Sequence, residues 1–521
     1  MLVNAAAVET GTTLHCDLCI IGAGAAGITI ARTFNGSRTN VCVLEGGALE
    51  SDAASAALYS SIKNIGRSYP YLLGSRLRYF GGTSNHWGGH CVPLRPINFE
   101  RGAWSAYSGW PISYDDVLPF YRRAETVLGL DGTDARPETV ATLLEQKLFP
   151  FDDRRVQTQV SRYNRVRFGQ VFRDELATSK NITAVLGANV TSIVSRADGE
   201  SIEKVSVRTI GGRVFSVSAK HFVLATGGIE NPRLLLASNA VHRGGLGNQY
   251  DLVGRFFMEH ISYHKGIILP GPPYNISPFY TSELPAGSIG YRAHLVLPEQ
   301  VVREAGIPDF RTELRALQYT VNEGVRSAKA VRDSFQHFKW PDHMAAHVSN
   351  IIVNADDVLA AARSTMPEPP HAYLMLNNVE QTPNPASRIA LTIERDVLGM
   401  PIASIDWRLS AIDKQGIRFG HARIAEEVGR AGFGRVFDDM PEDEAELLTG
   451  ADGACHHIGT TRMSNDPHQG VVDKNCCIHG VRNLFVAGSS VFPTGGYANP
   501  TFTIVALALR LAEYLHGKLH G

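Results

Sequence analysis

The chain has no excess of either charge: 50 lysines and arginines stand against 51 aspartates and glutamates, a formal net charge of −1. A nucleic-acid surface shows as a basic excess, so no nucleic-acid partner is expected. No block of like charges marks a solvating tail. Charged residues make up only 19% of the chain while glycine occurs 50 times, which suits an enzyme rich in tight turns and not a disordered or coiled-coil protein. Cysteine is scarce and odd in number, seven in 521 residues, so a disulfide framework is not expected. Cys16 and Cys19 form a CxxC inside "HCDLCIIG", which reads as a buried strand, where residues three apart face opposite sides. Both are expected to be plain buried thiols. Cys476, Cys477 and His479 lack a second ligand pair at zinc spacing, and no CxxCH haem site occurs, so no metal is expected. Long apolar runs are also missing. "TFTIVALALRLAEYL" is interrupted by Arg510, and the first residues show neither a basic n-region nor an apolar h-region. A cytoplasmic protein without a membrane segment is the expectation.

What is present begins at Asp17. "DLCIIGAGAAGITIARTFNGSRTNVCVLEGG" reads as strand, glycine turn, helix, strand. Far downstream, "AKHFVLATGG" and "VRNLFVAGSS" are apolar runs that end in small residues, as parallel strands do when they deliver a loop at their carboxyl ends. The middle of the chain differs. "PGPPYNISP" and "TMPEPPHAY" are Pro-rich joints, and "RIALTIERD" and "IASIDWRL" alternate like antiparallel strands. A nucleotide domain in separated pieces, with a second domain inserted between them, accounts for this order.

Gly22, Gly24 and Gly27 spell GxGxxG between the first strand and its helix. The first glycine permits the tight turn, the second lets the backbone approach a pyrophosphate, and the third allows close helix packing. The helix N-terminus offers free N–H groups to the phosphates. Glu45 closes the next strand, where a carboxylate can accept from ribose hydroxyls. "GGTSNHWGG", Gly81 to Gly89, adds backbone amides and small residues, among them Gly82, Ser84 and Asn85, that could wrap a flat ring, with His86 and Trp87 beside it. No second dinucleotide fingerprint occurs, so the hydride acceptor is expected to be a bound flavin.

Oxidising an alcohol at a flavin requires a base for the hydroxyl proton, and a near-neutral pKa favours histidine. A second hydrogen-bonding group must hold the substrate oxygen. "GACHHIGTTRM" supplies His456 and His457, and Asn499 precedes Pro500 at the start of the last helix. If "HHIGT" is extended, its two imidazoles point to opposite faces, so only one can serve a given pocket, and spacing leaves open which. Asn499 also reads as a helix cap, as does Asn231 before Pro232.

These residues resemble the glucose–methanol–choline (GMC) FAD-dependent oxidoreductases, and most of all the bacterial branch near pyranose oxidases and sugar or glycoside dehydrogenases. The resemblance covers most of the length and rests on "GAGAAG…VLEGG", "GGTSNHWGG", "GWPISYDDVLPFYRRAE", "LATGGIENPRLLLAS", "LVGRFFMEH", "EQTPNPASRIALT" and the block from Cys455 to Leu515. It implies an α/β chain: a Rossmann-like FAD-binding domain of the p-hydroxybenzoate-hydroxylase type over residues 1–95, 180–258 and 450–521, and an antiparallel-sheet substrate domain over 96–179 and 259–449. It implies that His456 and Asn499 are the catalytic pair and that His457 packs or orients. It further implies cofactor contacts from Ala25, Ala26, Val190, Ala225, Gly488 and Thr501, with Ser489 where many related flavoproteins use aspartate. His86 aligns with a histidine that carries a covalent flavin link in the pyranose oxidases. Many relatives keep a similar His-Trp without the link, so a non-covalent FAD is the expectation.

The function implied is oxidation of a hydroxyl on a sugar, glycoside, aminocyclitol, aminoglycoside or other polyol to a carbonyl, with O2 or an unidentified group as electron acceptor. A non-redox family member such as a lyase, or the flavin subunit of a membrane-associated dehydrogenase complex, is the alternative. An aminoglycoside substrate would call for carboxylates in the pocket, for which "FDDMPEDEAE" is the acidic candidate.

Overall fold

The apolar run Leu18–Ile21 closes the strand Thr13–Ile21, and none of its four residues is more than 2% exposed. Burial on both faces is what a central parallel strand requires. The computed structural model describes residues 1–69, 74–102, 105–271, 276–317, 323–336, 340–341, 343–356, 358–359, 372–438 and 440–520. The Pro-rich joints near 272–275 and 360–371 lie in large part outside the described residues.

Around Thr13–Ile21 an eight-stranded sheet forms. Val41–Glu45 lies parallel on one side, followed by Ile182–Leu186 and Leu2–Asn4. On the other side runs the long strand Val214–Leu224. Its last residues pair parallel with Leu484–Val486, and its first residues begin an antiparallel meander with Ile202–Arg208 and Asn189–Ser195. The expected parallel strands are therefore neighbours, and Ile21, Glu45, Leu224 and Val486 end on one side. Carboxyl ends gathered in this way open the crevice where such sheets bind ligands.

The second sheet has nine strands paired antiparallel, and its continuous path runs Gly434–Phe437, His260–Pro270, Ala372–Glu380, Phe310–Leu317, Ile289–Val296, Gln157–Tyr163, His90–Cys91. Ala451–Gly453 pairs with His260–Pro270, so both this strand and His90–Cys91 join the second sheet although they flank first-sheet segments. Strand alternation gives this sheet two characters. Phe310, Met375 and Val379 are fully buried, and the helix Ala411–Arg430 covers that face, with Gly416 against Pro308 and Gly420 against the Phe310 ring. The opposite face presents His260, Ser262, Asn378, Arg311 and Glu313 towards the first sheet. "RIALTIERD" and "IASIDWRL" pair as the antiparallel strands Arg388–Arg395 and Pro401–Asp406.

Two local readings of the sequence need correction. The amides of Asp17 and Leu18 both donate to the Asn40 carbonyl, at 2.9 and 3.1 Å. This doubled pairing breaks the strict alternation, and the Cys16 thiol turns to Cys19 and Cys42 instead of away from them. Asn231–Pro232 does not begin a helix either; both lie inside Gly227–Ala237. Asn231 accepts from the Thr226 amide and hydroxyl, at 2.9 and 2.6 Å, and donates to Ser490 Oγ at 2.9 Å. Pro232 has no N–H for the Gly228 carbonyl one turn back. The Thr460 hydroxyl fills that role from outside the helix, donating to Gly228 O at 2.5 Å.

Thr460→Val should therefore cost about 1–3 kcal/mol, the penalty for leaving a buried carbonyl unpaired. In a Pro232→Ala background, where a helical N–H can return, the same substitution should cost under about 1 kcal/mol. Urea-unfolding midpoints of the four proteins measure this; equal losses in both backgrounds would separate the hydroxyl from the proline.

Candidate active site

One cavity of about 700 Å³ runs from the glycine turn after Ile21 to the two histidines. Of the residues proposed from sequence for a cofactor, Gly22, Gly24, Ala25, Ala26, Glu45, Gly82, Ser84, His86, Val190, Ala225, Gly488, Ser489 and Thr501 all line it. Gly27 and Asn85 do not. Gly27 is packing: a Cβ there would sit 1.9 Å from Gly22 O. Asn85 holds the loop, donating to Phe80 O at 2.7 Å and accepting from the Gly169 amide at 3.1 Å.

The cavity wall has the chemistry a dinucleotide needs. Gly22 has φ +105°, and a Cβ would approach Ala225 O to 2.6 Å, so the turn tolerates only glycine. A Cβ on Gly24, Gly227 or Gly488 would meet nothing within 4 Å, so these backbones face open space that phosphate oxygens can enter. Glu45 accepts from the Ala23 and Gly47 amides at 2.9 and 2.8 Å, which fixes its carboxylate on the wall. Arg76 and Arg78 also line this end. Sequence reading missed both.

At the other end the chain leaves the strand Ala451–Gly453 and turns at Cys455, a non-glycine residue at φ +65°. Glu259 holds the turn, accepting from the amides of Ala454 at 3.1 Å and His456 at 2.8 Å. Met258 and Ile458 then exchange both backbone bonds at 3.0 Å, which keeps the segment extended. The two imidazoles diverge as extended geometry requires. His457 turns to Tyr69 OH at 3.2 Å and Ser75 Oγ at 3.3 Å. His456 turns into the cleft between the sheets. Its Nδ1 lies 2.8 Å from His260 Nδ1, and its Nε2 lies 3.1 Å from Asn499 Nδ2. Asn499 Oδ1 accepts from Arg311 Nη1 at 3.5 Å. The side chain of Asn499 is thus turned towards the histidine and the arginine.

Around this pair the lining is polar: His90, Ser262 and Asn378 join His456 and Asn499 on the wall. Behind them Arg311 and Arg292 share Glu313, at 3.3 and 2.9 Å. Among the described residues none of the acidic "FDDMPEDEAE" segment lines the cavity.

Burial keeps the imidazoles neutral. It pushes His260 down to about 4 and His457 to about 3. Burial followed by the neighbouring His260 and Arg311 charges holds His456 well below the usual histidine range. His90 and His294 are lowered by burial and then by Arg311. Burial acts in the opposite sense on Glu259, raising it to about 7 against the pull of Tyr69 and the loop amides.

His260, Glu259, Arg311 and Tyr69 were not singled out from sequence. A signal for one of them, Arg311, existed. "FRTELRAL" places Arg311, Glu313 and Arg315 at every second position, a charged stripe on one face of an otherwise buried strand.

Residues 383–508 match the family model of GMC oxidoreductases. The 2-methyl-1,2-propanediol dehydrogenase of Mycolicibacterium austroafricanum is 24% identical over 86% of this chain and 82% of its own. The 6'''-hydroxyparomomycin C oxidase of Streptomyces lividus is 23% identical over 98% and 93%. Pyridoxine 4-oxidase from Mesorbium loti shares the fold, with a TM-score of 0.58 at 17% identity over 96% of this chain and 99% of that one. The C-terminal part of the chain, residues 383–508, is thus that of a GMC oxidoreductase, and the chain as a whole is similar to flavin-type alcohol oxidases and dehydrogenases. This oxidoreductase is an FAD flavoprotein, and the fold read from the motifs is the one observed.

The native state of the oxidoreductase holds the Glu259 proton up to about pH 7, whereas an ordinary glutamate releases it near 4.5. The folded form binds more protons than the unfolded one between these values, so Glu259 costs stability progressively as pH rises through them. Below 4.5 the two states are protonated alike and the group is neutral in effect. Glu259→Gln removes this slope. Its melting temperature relative to wild type should rise between about pH 5 and pH 7.5; a difference independent of pH would show that Glu259 titrates normally.

Proposed function

We propose that this oxidoreductase oxidises a CH–OH group of a sugar, glycoside, aminocyclitol or other polyol to a carbonyl, with His456 as base and Asn499 as the second hydrogen-bonding group. The observation that carries the reading is the 3.1 Å contact between His456 Nε2 and Asn499 Nδ2 on the wall of the cavity that also holds Gly22, Gly24 and Glu45. FAD, when bound, supplies the hydride acceptor at N5.

The chain's own residues do the remaining work. His456 is neutral at working pH, so its Nε2 can take the hydroxyl proton as the carbon loses hydride. Asn499 Nδ2 donates to the substrate oxygen and aligns the C–H bond. His457 takes no part in proton transfer and anchors the segment through Tyr69 and Ser75. Glu45 serves the ribose, and Gly24, Ala25, Ala26 and Gly488 serve the pyrophosphate. His86 carries no covalent bond to the flavin. Residues 1–95, 180–258 and 450–521 act as the FAD-binding domain, and 96–179 and 259–449 as the substrate domain. The polyol class is supported by the polar wall of His90, Ser262 and Asn378, and by relatives named for a diol and an aminoglycoside. The proposal includes a cytoplasmic setting; among the described residues no helix is long and apolar enough to cross a membrane.

Anaerobic titration of the yellow protein with D-glucose, D-fructose, methyl glucoside, paromomycin and 1,2-propanediol tests the reaction through the visible flavin band. One class of compound should bleach it, and readmitted air then identifies or excludes O2 as acceptor. No bleaching across the panel would count against the polyol reading. His456→Ala should slow flavin reduction by about 10²–10⁴-fold while the protein stays yellow. An undiminished rate would remove His456 as base. Acid precipitation should release the yellow colour into the supernatant; colour retained in the pellet would establish a covalent link.

A further inference from the structure

His456 is bonded at both ring nitrogens, and the partners further out can act in one direction only. Arg311 Nη1 is a donor and nothing else, and it faces Asn499 Oδ1 at 3.5 Å. This orients the amide, so Asn499 Nδ2 faces His456 Nε2 at 3.1 Å with its hydrogens. Nε2 must then be bare. A neutral imidazole with a bare Nε2 carries its hydrogen on Nδ1, which points at His260 Nδ1 at 2.8 Å. Exactly one hydrogen fits between two nitrogens at that distance, so His260 Nδ1 is bare as well and its hydrogen sits on Nε2. That nitrogen lies 3.4 Å from the Gly495 carbonyl, which can only accept. A donor-only guanidinium stands at one end and an acceptor-only carbonyl at the other, so the chain of four bonds has a single polarity.

We propose that Arg311 and His260 are positioning residues that lock His456 in its Nδ1–H tautomer and so keep Nε2 bare towards the cleft. The inference rests on the reading of His456 as base, and it adds a reason why that nitrogen can accept a proton in every molecule. In water the Nε2–H form of a neutral imidazole is the commoner one, and it would present a hydrogen to the substrate instead of a lone pair. The protein reverses this preference with residues that touch neither substrate nor cofactor in the proposed reaction. Other groups near the chain are compatible with its direction. His90 Nε2 lies 3.3 Å from Arg311 Nη1 and 2.5 Å from Ser161 Oγ, and Ser161 Oγ lies 3.1 Å from His294 Nδ1. Glu313 faces Arg311 Nη2 at 3.3 Å and holds the guanidinium in place without reaching the imidazoles. Tyr497 packs under Arg311, its ring centroid 5.7 Å from the guanidinium carbon.

The test is the tautomer itself, read by long-range 15N–1H correlation on the flavin-loaded enzyme labelled with 15N-histidine at pH 7. A Nδ1–H imidazole should be present and should vanish in His456→Gln. His260→Asn, whose Oδ1 can accept where Nδ1 did, should keep it. His260→Leu and Arg311→Met each remove one end of the chain, and each should mix the Nδ1–H form with the Nε2–H form. A wild-type His456 in the Nε2–H form, or one unchanged in both His260→Leu and Arg311→Met, would overturn the proposal. A kinetic arm uses the panel compound that bleaches the flavin. His260→Leu should slow flavin reduction about 10–100-fold with KM within about twofold, and His260→Asn should recover most of the rate. Equal losses in His260→Leu and His260→Asn would mean that the ring is needed for packing, not for accepting, and would also overturn it. Failure of the base reading is separable. It shows as normal reduction in His456→Ala, whereas failure of the positioning inference leaves His456→Ala inactive and His260→Leu fast.

Discussion

A buried arginine keeps its charge where other groups surrender theirs, and much of the candidate site follows from that asymmetry. Arg311 is 4% exposed, and His456, His260, His90 and His294 all feel its charge. Adding a proton to any of these rings means placing a second cation in the same desolvated space, so they remain neutral. The arginine is tolerated because Glu313 pairs with it and with Arg292, and because the aromatic face of Tyr497 lies against it. One fixed charge on a strand of the second sheet thus adds to burial in keeping neutral the residues that reach it from four other segments.

Those segments meet because the fold closes its two sheets on the chain between Gly453 and Met463. On one side Met258 and Ile458 exchange backbone bonds, and Glu259 takes the amides of Ala454 and His456. On the other, the amides of Gly459, Thr461 and Met463 donate to the carbonyls of Ser489, Ser490 and Val491. The same run of residues is therefore an edge to both halves of the molecule. In the proposed reaction, a cofactor held by the first sheet and a substrate held by the second meet where this run passes between them.

Much of this was legible in the sequence wherever the physics is local. The glycine turn, its helix and Glu45 are set by steric needs of consecutive residues, and they lie where spacing places them. The divergence of His456 and His457 follows from extended backbone alone. What could not be read depends on contacts across the chain. His260 meets His456 from 196 positions away, and Arg311 meets Asn499 from 188. Local rules also failed where a neighbour overrode them. The two hydrogen bonds from the Asp17 and Leu18 amides to the Asn40 carbonyl turned Cys16 to the side that strand alternation denies it. Pro232 sits well inside a helix because Thr460, far along the chain, takes over the carbonyl that proline leaves open.

That hydroxyl has a consequence for the histidine doublet. Strand periodicity is two, so sliding the segment by one residue would exchange its faces and present His457 to the cleft in place of His456. Two adjacent identical side chains offer such a slip no chemical penalty. The penalty is geometric. Thr460 must meet a single helix carbonyl, and Gly228 lies so close that a Cβ there would be 2.3 Å from His457 O, leaving no room for the backbone to shift. Which twin faces the cleft is decided by Thr460, four residues downstream of His456, and by Gly228 on a helix far away in sequence.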